Sequence, residues 1–262
     1  MIETWSRGVA DDNMAEEFLL DRIGRLVRRH PWWWARTRLV PALLDRAGVR
    51  PPARLLDAGC GWGITLDCLE ILGFRAEGMD ISRKALELID RPDRRLIEAD
   101  LVAGWSGVLD RYDAVLALDV IEHLDDDRGA VTRLGELLNP GGVMVVSVPA
   151  RPDLFTQYDE LQGHRRRYEP ASLRSAFDDS GLVVERVLWW GQWMVPILRR
   201  QRARPRPLNG SASDLFASYL KLPPWPGPWL LRLAYIAEQP SMLGGNLTTG
   251  TSLFAVARKP EA

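Results

Sequence analysis

The segment Leu55-Leu56-Asp57-Ala58-Gly59-Cys60-Gly61-Trp62-Gly63 restricts the possible folds more than any other stretch. An apolar run from Arg54 to Ala58 reads as a buried strand, bends through three alternate glycines, and opens into a helical pattern over Ile64 to Leu72. Glycine tolerates left-handed backbone and lets a ligand approach the main chain closely. The helix start behind the turn offers unpaired N–H groups. Units of this kind build open parallel sheets, whose ligands sit beyond the carboxyl ends of the strands at the switch point.

The texture continues downstream. Short apolar runs at Arg75 to Met79, Arg94 to Glu98, Tyr112 to Leu118, Val143 to Val148, Leu182 to Leu188 and Thr251 to Ala257 read as strands. Helical patterns lie between them: one capped by Ser82 and running to Ile89, one from about Arg128 to Leu138, and one from Pro170 to Ser180. This alternation predicts an α/β fold, a doubly wound seven-stranded sheet with right-handed crossovers and helices on both faces. Residues 1–50 read as a helical N-terminal extension, with helices over 14–29 and 33–47, a break at Pro31 and a C-cap at Gly48. Residues 191–250 read as a helical insertion between strands six and seven. It contains helices near Gln192 to Arg200, Asp214 to Leu220 and Leu230 to Ala237, separated by a Pro205–Pro207 linker and a PPWPGPW break. The expected division is 1–50 as a cap, 51–190 with 251–262 as the sheet domain, and 191–250 as a substrate cap.

Composition removes several function classes. Lys plus Arg is 34 against 35 for Asp plus Glu, a net charge of -1, which disfavours nucleic acid as a partner. The start of the chain lacks a signal-peptide pattern, and no apolar run approaches the ~18 residues of a membrane span. Two cysteines, Cys60 and Cys68, form no disulfide framework and suit a reducing, cytoplasmic location.

The acids choose among ligands for the glycine turn. A dinucleotide turn needs glycine at 64, which is Ile, and no Gly-Lys-Ser/Thr follows for a phosphate loop. Asp57 places negative charge where a pyrophosphate would sit, so a cationic ligand fits better. Asp80 ends the second strand, where a carboxylate can accept both hydroxyls of a ribose. Asp100-Leu101 follows the third strand, where a carboxylate can accept an exocyclic amine. Asp119 ends the fourth, ahead of Val120-Ile121-Glu122-His123-Leu124.

On LLDAGCGWG, GMDIS, EADL, YDAVLALDVIEHLDD and NPGGVMVVSVPA, the sequence resembles the class I S-adenosylmethionine-dependent methyltransferases over roughly residues 50–190 and the final strand. The resemblance implies a final strand running antiparallel to the other six. It implies Gly59, Gly61 and Gly63 around the methionine moiety, Asp57 near its amino group, Asp80 with Ile81 at the ribose, and Asp100 with Leu101 at the adenine. Asp119 and Val120 would line the methyl-donor pocket. Trp62 departs from the small residue common at its position. The stretch Asp159 to Tyr168 further resembles a subgroup with a D-x-x-x-G-H-x-R-R-Y pattern, matched by Asp159, Gly163, His164, Arg166, Arg167 and Tyr168.

The expected activity is methyl transfer from S-adenosylmethionine, leaving S-adenosylhomocysteine, to an O, N or C atom of a small acceptor of aromatic or lipid-like character. His164 is the first candidate general base because imidazole titrates near neutrality, His123 the second, and Tyr168 a group that orients the acceptor. Asp125, Asp126 and Asp127 read as a helix cap, so no metal is assigned. Arg199, Arg200, Arg202, Arg204 and Arg206 read as a solvated helix end, with peripheral membrane contact as the alternative. The tryptophans near 189–193 and 225–229 read as core of the insertion or as an aromatic pocket. A nicotinamide-dependent oxidoreductase and a non-catalytic cofactor-binding module are the competing readings.

Overall fold

In the computed structural model, residues 2–6, 24, 26–105, 110–203 and 220–261 are described. Among them, β1 (Ile2–Thr4), β2 (Arg54–Ala58), β3 (Arg75–Asp80), β4 (Leu96–Glu98), β5 (Tyr112–Leu118), β6 (Leu138–Pro149), β7 (Val183–Trp190) and β8 (Ser252–Arg258) join in one sheet, ordered β1-β4-β3-β2-β5-β6-β8-β7. Neighbours from β1 to β6 are parallel. β8 runs antiparallel between β6 and β7. The chain winds outward from β2 to β4 and then restarts at β5 on the other side of β2. The switch point therefore lies between the carboxyl ends of β2 and β5, just beyond the glycine turn.

The sheet has eight strands where the sequence predicts seven. The additional one, β1, lies in the segment expected to be helical. Three residues are too few to display a period. It is held at the edge by pairing with β4 and by Arg95, which donates to both oxygens of Glu3 at 2.8 and 2.7 Å. The break expected at Pro31 falls at His30, one residue earlier. Pro31 starts helix α1 (Pro31–Arg46), because a proline at the first turn loses no hydrogen bond. The His30 ring caps that helix by accepting from Trp32 N; burial lowers its pKa to about 4 and keeps it neutral for that task.

Further helices are α2 (Ile64–Ile71), α3 (Arg83–Glu87), α4 (Asp127–Glu136), α5 (Gln157–Leu161), α6 (Pro170–Ser175), α7 (Met194–Arg202) and α8 (Gly227–Gly244). The predicted linker at 205–207 and nearly all of the predicted helix over 214–220 lie outside the described residues. Strand side chains alternate between two cores, as a period of two requires. Leu55, Leu116, Val145 and Phe254 meet α1, α2 and α8 on one face. Leu56, Val115, Val146 and Ala255 meet α4 and the Leu173–Phe177 segment on the other. At the amino ends of the strands, Arg54, Arg95, Glu77, Asp110 and Tyr112 form a polar lattice far from the switch point.

Leu116 is fully enclosed, whereas Ile71 is 82% exposed. Leu116→Ala should cost about 2–5 kcal/mol in urea unfolding, and Ile71→Ala should stay within about 0.5 kcal/mol of the parent.

Candidate functional site

The glycine turn is pinned to β3. Gly59 N and Cys60 N both donate to Met79 O, at 2.7 and 3.0 Å. Gly59 has φ +77°, and a Cβ there would come within 2.3 Å of Val120 Cγ2, so no other residue fits. Gly61, at φ +49°, has nothing among the described residues within 4 Å of where a Cβ would stand. Its N–H donates to Asp80 Oδ2 at 2.8 Å, while Ser82 N donates to Asp80 Oδ1 at 2.9 Å. The Asp80 carboxylate is thus fixed in orientation at the end of β3. Ile81 beside it is half-buried.

Asp57 is the anomaly of the site. It is buried, and its Oδ1 has no hydrogen-bond partner among the described residues. Burial, reinforced by the Asp80 charge and opposed by Arg36, pushes its pKa up to about 7. A buried carboxylate oxygen without a donor is costly to keep, and a cationic donor group is what would satisfy it. The open space at Gly61, the fixed Asp80 and this orphaned acceptor together fit an amino-acid-bearing nucleoside such as the one the sequence implies.

Asp100 is buried, and its Oδ1 accepts from Val102 N and Ala103 N at 2.7 and 3.2 Å, so part of its capacity shapes its own turn; Leu101 is buried beside it. Asp119 adopts φ +57° and pairs with Arg36 of α1, which also donates to Leu118 O at 3.2 Å. Ser147 Oγ adds a bond to Asp119 at 3.2 Å. Arg36 is a site residue that sequence reasoning missed, since one arginine within a helix reads as a solvated position. Trp62 packs with Val27, Trp33 and Leu220, and Arg28 donates to Trp62 O at 2.9 Å. Segments from the N-terminal region and from the insertion therefore meet over the glycine turn.

A second cluster lies after β5 and β6. The His123 and His164 rings meet edge to face at 4.7 Å. Burial and the neighbouring His164 lower the His123 pKa to about 4. Glu122 is fully enclosed with both carboxyl oxygens unpartnered among the described residues, and burial, with the Asp119 charge, pushes its pKa well up. Donor atoms of Glu122, His123 and His164 lie within 4.8 Å of one another, a donor set suited to a divalent cation. The set joins two separate loops, so no spacing in the sequence marks it. Glu122 was likewise missed as a site residue. An acid one turn past a buried strand, flanked by Ile121 and Leu124, was the available signal.

His164 Nδ1 stands 3.4 Å from Asp159 Oδ1. Asp159 is fully buried, caps α5 through Thr156 N at 2.9 Å, and pairs with Arg167 at 2.6 Å and with Arg202 of α7. Burial works to raise its pKa, but the His164 hydrogen bond and the two guanidinium groups hold it well below the ordinary carboxylate range. Asp159, His164, Arg167 and Arg202 thus form an enclosed ion cluster. Arg202, expected at a solvated helix end, is part of it; Arg204 and Arg206 lie outside the described residues. Tyr168 also differs from its expected role. It is 1% exposed within the core, and its hydroxyl donates to Asp127 Oδ2 at 2.7 Å, which leaves it no reach toward an acceptor. Asp126 caps α4 through Gly129 N at 2.8 Å, as predicted. Trp190 is core, stacked among Trp32, Tyr235 and Phe254, whereas Trp225 and Trp229 are exposed.

A doubly wound sheet with one antiparallel strand next to its end, glycines at the switch point and acids closing β2, β3 and β5 defines the Rossmann-like methyltransferase class. A family model described as a methyltransferase domain matches residues 32–187, and the chain belongs to that family. The ubiquinone biosynthesis O-methyltransferase of Methylocella silvestris is 36% identical over 110 residues, covering 38% of this chain and 42% of that protein. The Dechloromonas aromatica enzyme of the same name is 27% identical over 150 residues, covering 51% and 63%. The chain thus spans about half the length of the curated relatives it matches. Among solved structures, the phosphoethanolamine N-methyltransferase 2 of Haemonchus contortus, in complex with S-adenosyl-L-methionine, superimposes with a TM-score of 0.56 at 18% identity, over 84% of this chain and 52% of that one. The [4+2]-cyclase SpnF gives 0.58 at 16% identity, over 88% and 83%. These likenesses are of fold.

Asp57 makes a stability prediction. Folding raises its pKa, so the ligand-free protein holds that proton more tightly than the unfolded chain. The resulting penalty is absent below the ordinary carboxylate pKa of ~4, grows as pH rises, and is complete above about pH 7. Asp57→Asn should therefore raise the ligand-free Tm at pH 8, by the equivalent of a few kcal/mol at most, and change it little at pH 4. Scanning calorimetry at the two pH values reads this directly.

Proposed function

We propose that this protein is an S-adenosylmethionine-dependent O-methyltransferase of a small molecule, and that the site described above is where it binds cofactor and acceptor. The observation that carries the reading is the buried, partnerless Asp57 oxygen beside the open Gly61 turn. In this reading Gly59, Gly61 and Gly63 line the methionine moiety, and Asp57 accepts from its ammonium group. Asp80 with Ile81 takes the ribose hydroxyls, Asp100 with Leu101 the adenine, and Asp119 with Val120 walls the donor pocket. O-methylation is favoured by the likeness to the ubiquinone biosynthesis enzymes, which also supports an aromatic or lipid-like acceptor. Residues 1–50 and 191–250 act as a substrate cap over the 51–190 and 251–262 sheet domain. The contacts of Trp62 with Val27 and Leu220 support this division. No helix among the described residues is long and apolar enough to cross a membrane. Free Cys60 and Cys68 agree with a reducing, cytoplasmic location.

When bound, S-adenosylmethionine supplies an activated methyl group on a sulfonium. What remains for the chain is alignment, exclusion of water and removal of the acceptor proton. His164 is the proposed base. With Nδ1 carrying the proton shared with Asp159, Nε2 keeps a free lone pair for the acceptor hydroxyl. His123, with a pKa near 4, is the weaker base and serves to wall the pocket. The proton taken by His164 is left next to a carboxylate, and the methyl group replaces it on the acceptor oxygen.

Because the ammonium group pairs with ionised Asp57, affinity for S-adenosylhomocysteine should fall as pH drops below about 7, approaching tenfold per pH unit. Asp57→Asn should weaken binding and flatten that slope; titration calorimetry between pH 5.5 and 8.5 checks both. Asp80→Ala should weaken binding at every pH by about tenfold or more. His164→Ala should leave affinity intact and lower the rate of labelled-methyl transfer to phenolic acceptors by about 100-fold. Stabilisation by NAD in place of S-adenosylhomocysteine would sink the reading.

A further inference from the structure

One buried carboxylate, Asp159, is shared by two side chains with different origins. His164 comes from the loop after α5, whereas Arg202 comes from the last turn of α7, at the start of the 191–250 insertion. The Arg202 side chain is only 8% exposed. Its Nη1 donates to Asp159 Oδ2, to Leu154 O and to Thr156 Oγ1, and its guanidinium lies 5.7 Å from the Tyr158 ring. Arg199, one turn earlier, makes an exposed pair with Asp153 at 3.1 Å. At the other end of the insertion, Glu238 of α8 accepts from Gly191 N and Gln192 N at 2.8 and 2.7 Å, which closes the insertion on itself.

Arg202 is not needed to neutralise Asp159. Arg167 already donates to Asp159 Oδ1 through Nε at 2.7 Å and through Nη2 at 2.6 Å, and it is as deeply buried. A second guanidinium crowds the first, and the Arg202 charge helps to lower the Arg167 pKa. A buried like-charge contact of this kind is retained at a cost. The gain visible in the structure is a division of labour: Arg167 and His164 sit on Oδ1, while Arg202 and the α5 cap hold Oδ2. With both oxygens fixed, the carboxylate cannot rotate away from the imidazole.

We propose that Arg202 and Asp159 are positioning residues: when α7 is seated, Arg202 locks the Asp159 carboxylate, and Asp159 in turn holds the His164 ring with Nδ1 inward and Nε2 toward the acceptor. The catalytic geometry is thereby made conditional on placement of the insertion. The proposal rests on the reading of His164 as the base, but the link itself is a property of the fold. The charged and titratable groups around His164 are Asp159, Arg167 and Arg202 on one side and Glu122, His123 and Arg165 on the other.

The test is Arg202→Gln in the full chain. Arg167 still pairs Asp159 in this variant, so the buried carboxylate keeps a counter-charge. Affinity for S-adenosylhomocysteine, measured by calorimetry, should stay within twofold and reports an intact sheet domain. The chain has three histidines, so nitrogen-15 NMR of the imidazoles resolves His164 with His164→Ala for assignment. In the wild type at pH 8, the His164 shifts should report a proton on Nδ1. In Arg202→Gln they should move toward the Nε2-protonated tautomer that a free imidazole prefers. kcat for methyl transfer should fall at least tenfold with KM for the cofactor unchanged. Identical His164 shifts in the two proteins overturn the proposal, as does a full kcat in the variant. A wild type that shows the tautomer shift on mutation but transfers no methyl group overturns the functional reading and leaves the link between α7 and His164 standing.

Discussion

The site is organised around the cost of burying the Asp57 carboxylate at the end of an apolar strand. Leu55, Leu56 and Ala58 on either side are completely enclosed, so the backbone has no alternative but to carry the acid into the interior with them. The turn that follows leaves by positive-φ glycines and is tied to Met79 O, which brings Asp80 close enough to raise the Asp57 pKa further. A buried acid that is costly to ionise favours a cationic partner, so in the proposed reading the same feature that weakens the fold at alkaline pH gives the pocket its sign preference. The polar lattice at the opposite end of the strands shows the contrast. There Glu77 and Asp110 are paired outright by Arg54 and Arg95, and nothing remains for a ligand to satisfy.

Arginines from two helices pair with two of the remaining acids. Arg36, on α1, pairs with Asp119; Arg202, on α7, pairs with Asp159. Asp159 is also paired with Arg167, and Asp119 also accepts from Ser147 Oγ. The N-terminal region and the insertion are therefore joined to the site through charge as well as through the aromatic contacts of Trp32, Trp190 and Tyr235. Removing Arg36 from its largely buried pair with Asp119 is a larger perturbation than losing an exposed pair such as Arg50 with Asp45.

What the sequence discloses follows from the range of each interaction. β2 and β5 were legible to the residue, because a strand buried on both faces must be a continuous apolar run and its end is marked by an acid or a glycine. The helix caps at Ser82 and Asp126 were legible because capping is local. β1 was not, since Ile2–Thr4 becomes a strand only by pairing with residues over ninety positions away. Arg36, Glu122 and Arg202 were missed for a related reason: each acquires its role from a partner on another element, and its own neighbours in sequence look like those of an ordinary charged residue. Tyr168 failed the other way. It stands in a motif rich in reactive side chains, but its hydroxyl donates to Asp127, 41 positions back along the chain.

The two histidines show why proximity alone does not assign a base. Their rings touch, both are largely shielded, and both lie beyond the carboxyl ends of the central strands. A proton on one disfavours a proton on the other. His123 has no carboxylate bonded to its ring among the described residues and is driven to a pKa near 4. His164 has Asp159, whose charge is itself secured by Arg167 and Arg202. In the proposed role the carboxylate beside Nδ1 sets which nitrogen of His164 faces outward. The asymmetry between two adjacent, chemically identical rings thus comes from one buried aspartate and from the arginines that keep it ionised.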